Sequence, residues 1–198
     1  MKTIGITGSI GMGKSFVANI FVENGAILFD ADAEIHKMLD VGGEAVVSVT
    51  ELFPNVIRKD GSIDRKLLGD KVFNNPVELQ KLESILHPLV RKKGEELAKN
   101  AEKDGKKIIV KDIPLLFETG ADKTCDYRLT AHCPEEIQRA RVMQRGNMSV
   151  EKLESIKKIQ MSVSEKIKRA DFNIDTNDTK ENIDIQVKSI IRAVTEAK

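Results

Sequence analysis

The sequence carries almost no net charge and only two cysteines, and each scarcity excludes a class of function. Its 198 residues contain 32 lysines and arginines against 31 aspartates and glutamates, a formal net charge of +1. Because no overall positive field attracts a polyanion, we expect no nucleic-acid partner, and a local cluster must bind any anionic ligand. Cys125 and Cys133 lack further ligands at a recognised metal-binding spacing. We interpret them as reduced thiols at or near a buried strand.

Long apolar runs are also missing. No apolar stretch approaches the length that a membrane-spanning helix needs, so we expect no membrane partner. The start of the chain shows no signal-peptide pattern, since Met1 and Lys2 lead directly into an apolar segment. We therefore expect a cytoplasmic protein, as a monomer or a small homo-oligomer.

Five short apolar segments predict the strands of one α/β domain. They comprise residues 3–7, 26–29, 107–111, 127–131 and 172–174, and most are apolar throughout rather than alternating. Continuous apolar strands separated by helical patterns are typical of a parallel sheet with helices on both faces. The sequence therefore predicts a three-layer fold around a five-stranded parallel sheet.

Residues 32–103 contain helical patterns but no convincing strand. The longest helical pattern begins with Asn75 as a cap and Pro76 in the first turn. An insertion of about 70 residues is too long for an ordinary crossover connection. We therefore predict a helical substrate-binding subdomain, residues 33–103, inserted after the second strand. Residues 1–32 and 104–198 then form the core of the same single domain.

Residues 8–15, Gly-Ser-Ile-Gly-Met-Gly-Lys-Ser, form a phosphate-binding loop pattern between the first strand and an amphipathic helix. The glycines let successive N–H groups approach the β- and γ-phosphates at the positive end of the helix. A chance glycine-rich turn is the weaker alternative, because a strand precedes the pattern and a helix follows it. In this P-loop NTPase arrangement the lysine supplies positive charge to the transferring phosphoryl group, and the serine hydroxyl ligates Mg²⁺. The ATP-binding residues predicted are Gly11, Met12, Gly13, Lys14, Ser15 and Phe16. We expect the bulky Phe16 to pack against the nucleotide site or the sheet.

Carboxylates follow the second and third predicted strands. The chain has no guanine-reading Asn-Lys-x-Asp motif, which favours a kinase over a GTPase. Asp30 and Asp32 follow the second strand, where ligands bind in open α/β sheets. Asp32 is either a base that accepts the proton of the attacking hydroxyl or the cap of a helix beginning at Ala33. Asp112 is either a Mg²⁺ ligand through water or a strand-end cap.

Two arginines four residues apart provide candidate positive charges for the transferring phosphate. We predict Arg141 and Arg145 on one face of a helix that spans residues 134–145. Guanidinium groups there can stabilise negative charge in the transition state. The alternative is a solvated basic face that pairs with Glu135 or Glu136. The next segment, residues 149–169, is strongly charged and is predicted to be helical.

Several blocks taken together resemble dephospho-CoA kinase. They comprise residues 7–15, Phe29-Asp30-Ala31-Asp32, Leu86-His87-Pro88, residues 112–118 (Asp-Ile-Pro-Leu-Leu-Phe-Glu), residues 138–145, Gln160-Met161, Ala170-Asp171 and Ile174-Asp175. The blocks run in order along almost the whole chain. The resemblance implies transfer of the ATP γ-phosphoryl group to the ribose 3′-hydroxyl of dephospho-CoA, the last step of coenzyme A synthesis. It also implies a helical CoA subdomain and a mobile lid, which we place at residues 141–165.

The resemblance further implies roles for single residues. It favours Asp32 as the general base over the capping interpretation. It places Asp30 with the acceptor substrate or the metal, His87 with the substrate or at a helix kink, and Glu118 with the acceptor substrate. The Gln-x-x-Arg-x-x-x-Arg pattern supports catalytic roles for Arg141 and Arg145, alongside Lys14. The family's Asp-Asn and glycine near the adenine are replaced here by residues 175–178, Asp-Thr-Asn-Asp, so the adenine contact stays open. A nucleoside or nucleoside-monophosphate kinase and a non-catalytic nucleotide sensor are the alternative functions.

Overall fold

One five-stranded sheet organises the computed structural model, which describes residues 1–73, 75–146 and 148–196. Its order is β2-β3-β1-β4-β5. β1 pairs in parallel with β3 and β4, and β4 pairs in parallel with β5. The strands are β1 Lys2–Thr7, β2 Ile27–Asp30, β3 Ile108–Asp112, β4 Tyr127–His132 and β5 Phe172–Asp175. The predicted parallel α/β fold is confirmed, and every strand boundary lies within one residue of its prediction.

Helices fill most of the remaining described chain. They are α1 Lys14–Glu23, α2 Ala31–Met38, α3 Val46–Leu52, α4 Arg65–Val72, α5 Pro76–Lys103, α6 Glu135–Met143, α7 Val150–Ile159, α8 Val163–Arg169 and α9 Lys180–Glu196, with a short 3₁₀ helix at Ala121–Thr124. Asn75 caps α5 as predicted, since its side chain accepts a hydrogen bond from the N–H of Glu78 at 3.3 Å. None of the helices in the described ranges is long and apolar enough to cross a membrane.

The helices after β4 differ from their predicted extents. α6 ends at Met143, because the N–H of Arg145 bonds back to Val142 in a tightened last turn and Gly146 adopts a φ of 70°. Arg145 therefore lies beyond the helix, and the prediction that it shares a helical face with Arg141 is wrong. Residues 149–169 are largely helical as predicted, and they form two helices with residues 160–162 between them.

The chain forms two compact units. The first unit comprises Met1–Phe29 and the chain from Asn100 onward. Its core joins the sheet to α1 and α9, because apolar residues at helical spacing on both helices meet the continuous apolar strands. Fully buried members of this core are Ile4, Ile6, Val17, Phe21, Val110, Leu129, Ile174, Ile183, Val187 and Val194.

The second unit, Asp30–Lys99, contains α2, α3, α4 and most of α5. Its apolar side chains form a core of their own. That core includes Met38, Leu39, Val49, Phe53, Ile63, Leu68, Leu82 and Leu86. Leu82 and Leu86 lie four residues apart, so α5 presents one apolar face to this core.

Candidate active site

The loop of residues 8–13 connects β1 to α1 and leaves the start of that helix open to an anion. Gly13 caps α1 with a φ of 80°, a left-handed conformation that favours glycine. A Cβ on Gly13 would lie 2.8 Å from the Oγ1 atom of Thr176, so a larger residue has no room there. Within the described residues, no side chain caps the first turn of α1 and no acidic residue lies in it. Its N–H groups and the helix dipole therefore suit a phosphate.

The lysine of this loop contacts the carboxylate that ends β3. Lys14 Nζ forms an ion pair with Asp112 Oδ1, and both side chains are largely shielded from solvent. The pairing follows from the sheet, because β3 lies beside β1 with Asp112 opposite Ile6. Ser15 is exposed at the start of α1. Phe16 is 40 % exposed and is not among the buried residues of α1.

Three side chains from later parts of the chain hold the backbone of the loop. Gln138 Nε2 donates to the carbonyl oxygen of Ile10 at 2.7 Å. The N–H of Ile10 donates to Gln160 Oε1 at 3.3 Å. Thr176 Oγ1 donates to the carbonyl oxygen of Met12 at 2.9 Å. These contacts fix a glycine-rich loop that would otherwise be conformationally free.

Arg141 is held at the same place. Its two terminal nitrogens donate to the Oγ1 and carbonyl oxygens of Thr176, each at 2.8 Å. Arg141 therefore braces the segment that supports Met12 and Gly13. Arg145 is exposed, and its side chain makes no hydrogen bond or ion pair with any other described residue. The catalytic roles of both arginines stay predictions.

Both cysteines are free, buried thiols, as predicted. Cys125 precedes β4 and Cys133 follows it. The N–H and Sγ of Cys133 contact Met12 Sδ at 3.2 and 3.5 Å. Burial raises the pKa of the Cys133 thiol, which keeps it protonated as a neutral packing partner of the loop.

A fully buried lysine lies behind the site. Lys166 is 0 % exposed and pairs with Glu118 Oε1 at 3.0 Å, where Glu118 is 16 % exposed. Its Nζ also donates to the Pro114 carbonyl at 2.9 Å and to Thr7 Oγ1 at 3.2 Å. Lys166 thus joins α8 to the ends of β1 and to the segment after β3.

Glu118 is tied into the same cluster. Its Oε1 also accepts a hydrogen bond from the N–H of Met161 at 2.7 Å. Burial acts to raise the pKa of Glu118, but the Met161 N–H and the Lys166 ammonium outweigh it and hold the pKa below its ordinary value. Glu118 therefore carries a negative charge at neutral pH. Its predicted contact with substrate stays a prediction.

The second unit contains the other predicted site residues. Asp30 caps α2, because its Oδ1 accepts a hydrogen bond from the N–H of Ala33 at 2.9 Å. The alternative that Asp32 caps a helix beginning at Ala33 is therefore wrong, since α2 begins at Ala31 and Asp32 lies inside its first turn. Asp32 is exposed. His87 is an exposed residue of α5 just before Pro88, and its side chain makes no polar contact with the rest of the described chain.

A basic cleft of about 220 Å³ also lies in the second unit. Lys37, Arg58 and Arg65 line it with His36, and Asp40 is the one carboxylate among its lining residues. Arg58 is engaged by Asp64 at 3.2 Å, whereas Arg65 makes no side-chain hydrogen bond or ion pair with other described residues. Lys37 is likewise paired with Glu34 at 2.6 Å, so Arg65 is the side chain of this cleft that is left to meet an anionic ligand.

Sequence reasoning missed the roles of Lys166, Gln160 and Thr176. Lys166 belongs to a strongly charged segment, so nothing in the sequence separates it from its solvated neighbours. Gln160 belongs to a family block, but no spacing indicates that its amide reaches Ile10. Thr176 departs from the family pattern, and nothing in the sequence indicates its contact with Met12.

Comparison with known proteins decides the family of this chain. The family model described as dephospho-CoA kinase matches residues 2–182. The chain belongs to the dephospho-CoA kinase family. A dephospho-CoA kinase from Rhodopseudomonas palustris is 41 % identical over 193 residues, which cover 98 % of this chain and 96 % of that protein.

Solved structures agree with membership of the dephospho-CoA kinase family. A structure from Thermus thermophilus covers 98 % of both chains with a TM-score of 0.85 and 31 % identity. A dephospho-CoA kinase from Campylobacter jejuni, also 31 % identical, covers 99 % of this chain and 98 % of its own, with a TM-score of 0.70. The resemblance identified in the sequence is thereby confirmed.

Proposed function

We propose that this chain transfers the γ-phosphoryl group of ATP to the ribose 3′-hydroxyl of dephospho-CoA, giving CoA and ADP. This reaction is the final step of coenzyme A biosynthesis. The observation that carries the proposal is the uncapped α1 N-terminus with Lys14 beside it, in a chain of the dephospho-CoA kinase family. A bond forms between the 3′-oxygen and the γ-phosphorus, the bond from that phosphorus to the β-phosphate oxygen breaks, and ADP leaves.

The first unit is proposed to bind ATP. The N–H groups of residues 11 and 13–16 surround the phosphates, whereas the Met12 N–H donates to the Ser9 carbonyl oxygen at 3.1 Å. Lys14 neutralises charge on the group in transfer. Because Lys14 contacts Asp112, its ammonium is held at the carboxyl end of the sheet rather than extended into solvent. Arg145, which lies just past α6, is proposed to reach the γ-phosphate, and residues 141–165 are proposed to form the lid.

Mg²⁺ is proposed to arrive with ATP. Ser15 offers a hydroxyl oxygen and Asp112 a carboxylate oxygen, which are the hard donors that Mg²⁺ prefers. No group of three or more His, Cys, Asp or Glu in the described part of the chain could hold a metal by itself. That fits a cation which keeps several waters and takes its remaining ligands from phosphates. Bound Mg²⁺ would neutralise charge on the phosphates, with Asp112 acting through water.

The second unit, with residues 33–103, is proposed to bind dephospho-CoA. Asp32 is the proposed general base, since it is exposed and leaves the capping of α2 to Asp30. Asp30, His87 and Glu118 are proposed acceptor-binding residues. The basic cleft with Arg65 supports this role of the second unit, because dephospho-CoA carries a pyrophosphate that needs positive partners.

The same proposal carries expectations about the location, oligomeric state and partners of the enzyme. We expect a cytoplasmic enzyme that uses two small-molecule substrates, acts as a monomer or small homo-oligomer, and binds no nucleic acid.

Steady-state turnover with Mg-ATP and dephospho-CoA tests the proposal. CoA and ADP should form in equal amounts, and EDTA should stop the reaction. A panel of nucleosides and nucleoside monophosphates at equal concentration separates this function from other kinases. Turnover of a nucleoside monophosphate but not of dephospho-CoA, or ATP binding with no acceptor phosphorylated, would refute it.

The assignment of the base has its own test. Asp32→Asn should lower kcat about 100-fold or more, because general-base catalysis contributes on that scale. Its KM for ATP should stay near the wild-type value. Asp70→Asn, an exposed aspartate elsewhere in the second unit, is the matched control. A kcat within a few-fold of wild type would remove Asp32 from the mechanism.

A further inference from the structure

Ile10 is a loop residue whose two backbone polar groups are both bound by side-chain amides. Gln138, on α6, binds its carbonyl oxygen at 2.7 Å, and Gln160, at the end of α7, binds its N–H at 3.3 Å. Gln138 lies within α6 and Gln160 directly follows α7, and both are more than 120 residues beyond the loop in sequence. We propose that Gln138 and Gln160 form a clamp on Ile10 that positions the phosphate loop for ATP.

On the Gln138 side of the clamp, α6 packs closely against the loop. Gln138 is only 2 % exposed, and a Cβ on Gly11 would lie 2.5 Å from Val142 Cγ2 and 3.1 Å from the Gln138 carbonyl oxygen. α6 therefore rests directly against the residue that follows Ile10. The backbone conformation of the loop sets the direction of its N–H groups. A shift of Ile10 would therefore move the groups that bind phosphate.

The other side of the clamp is anchored by the buried ion pair. Gln160 is followed by Met161, whose N–H is bound by Glu118 at 2.7 Å. Glu118 is in turn paired with Lys166. The position of the Gln160 amide is therefore set by a buried cluster rather than by an exposed turn.

The chemistry of the two bonds is opposite, and this makes the clamp testable. A backbone N–H can only donate, so Gln160 must present its oxygen to Ile10. A carbonyl can only accept, so Gln138 must present its NH₂ group. Glutamate keeps the oxygen acceptor but lacks the donor. Gln160→Glu therefore preserves its bond to Ile10, whereas Gln138→Glu places a carboxylate oxygen against a carbonyl oxygen.

Both substitutions add one negative charge next to the same residue, so each controls for the charge of the other. Gln138→Glu should lower kcat/KM for ATP about tenfold or more, the scale of one lost hydrogen bond in a positioned loop. Gln160→Glu should stay within about threefold of wild type, while Gln160→Met should fall about tenfold. The KM for dephospho-CoA should change little in all variants. The Tm should change little in Gln160→Glu, whereas Gln138→Glu should lower it, because it buries a carboxylate against a carbonyl oxygen. Gln186→Glu, at a partly exposed position of α9, is the control for an added charge elsewhere.

The inference rests on the proposed function, but nucleotide binding tests the clamp separately from phosphoryl transfer. ADP affinity measured by calorimetry should follow the same order of variants even if dephospho-CoA is not phosphorylated. If Gln138→Glu fails to fold, the comparison of Gln160→Glu with Gln160→Met decides alone. The clamp is overturned if Gln160→Glu is impaired as much as Gln160→Met, or if the variants lower acceptor affinity as much as ATP affinity.

Discussion

Removing the charge of Lys166 should strongly destabilise the fold, because this side chain is 0 % exposed and paired with Glu118. Lys166→Met keeps the length and apolar stem of the side chain but deletes the ammonium group. Glu118 would then remain ionised and shielded, with the N–H of Met161 at 2.7 Å as a surviving polar partner. Its second oxygen, Oε2, is already buried without a hydrogen-bond partner in the described structure. The Pro114 carbonyl and Thr7 would also lose a donor.

Removing one partner of a buried ion pair lowers the free energy of unfolding by about 3–5 kcal/mol, whereas replacing both partners with apolar residues is often close to neutral. Lys166→Met should therefore lower the free energy of unfolding by about 3 kcal/mol or more, out of a total of about 5–15 kcal/mol. The double variant Lys166→Met/Glu118→Gln removes both charges and keeps an oxygen acceptor for Met161. It should be more stable than Lys166→Met alone.

Urea unfolding at pH 7, followed by far-ultraviolet circular dichroism, measures these differences. The pH dependence gives a second measurement. In the wild type the folded pKa of Glu118 lies below its ordinary value of 4.5, so its stabilising contribution is present at neutral pH and is lost as the pH falls through the folded pKa. Without Lys166 the remaining burial raises this pKa relative to the wild type. The difference in the free energy of unfolding between the wild type and Lys166→Met should therefore become smaller as the pH is lowered. A penalty below about 1 kcal/mol, or a double variant no more stable than the single one, would refute the reasoning.

Three further predictions follow from local geometry. Gly13→Ala should abolish ATP binding measured by calorimetry, since its Cβ would lie 2.8 Å from Thr176 Oγ1 at a φ of 80°; retained affinity would show that the loop relaxes. Asp30→Ala should cost about 1 kcal/mol of stability through the lost cap of α2, while Asp32→Asn should cost much less; equal losses in urea unfolding would contradict the capping assignment. Arg65→Met should raise the KM for dephospho-CoA about tenfold without changing that for ATP, and an unchanged KM would exclude the basic cleft from acceptor binding.

The fold could be predicted from the sequence because its signals are local. Each strand is a short apolar run between turn residues, so all five were predicted within one residue. The phosphate loop is likewise a contiguous pattern, and the spacing of its glycines, lysine and serine indicates phosphate binding. Helix ends were less predictable. α6 stops at Met143 because its last turn tightens, and α2 begins early because the Asp30 side chain reaches the N–H of Ala33.

The contacts of polar side chains could not be predicted from the sequence, because the fold brings together residues that are far apart in it. Arg141 has the residue type and spacing of a phosphate-binding arginine, yet its guanidinium contacts Thr176. Lys166 lies among solvated lysines in sequence and is nevertheless 0 % exposed. In both cases the contact is with a residue more than 30 positions away in the sequence, which no local pattern indicates.

These distant contacts explain why the loop motif alone identifies so little. Its own residues specify that phosphates bind, because glycine conformations and a helix N-terminus suffice for that. The position of the loop, however, depends on Gln138 and Gln160, which lie in family-specific blocks, and on Thr176, where the chain departs from the family pattern. A second phosphate-loop protein with the same residues 8–15 but different supports would hold its N–H groups elsewhere. The selectivity of phosphoryl transfer in this chain is therefore expected to follow from the residues that hold the loop as much as from the loop itself.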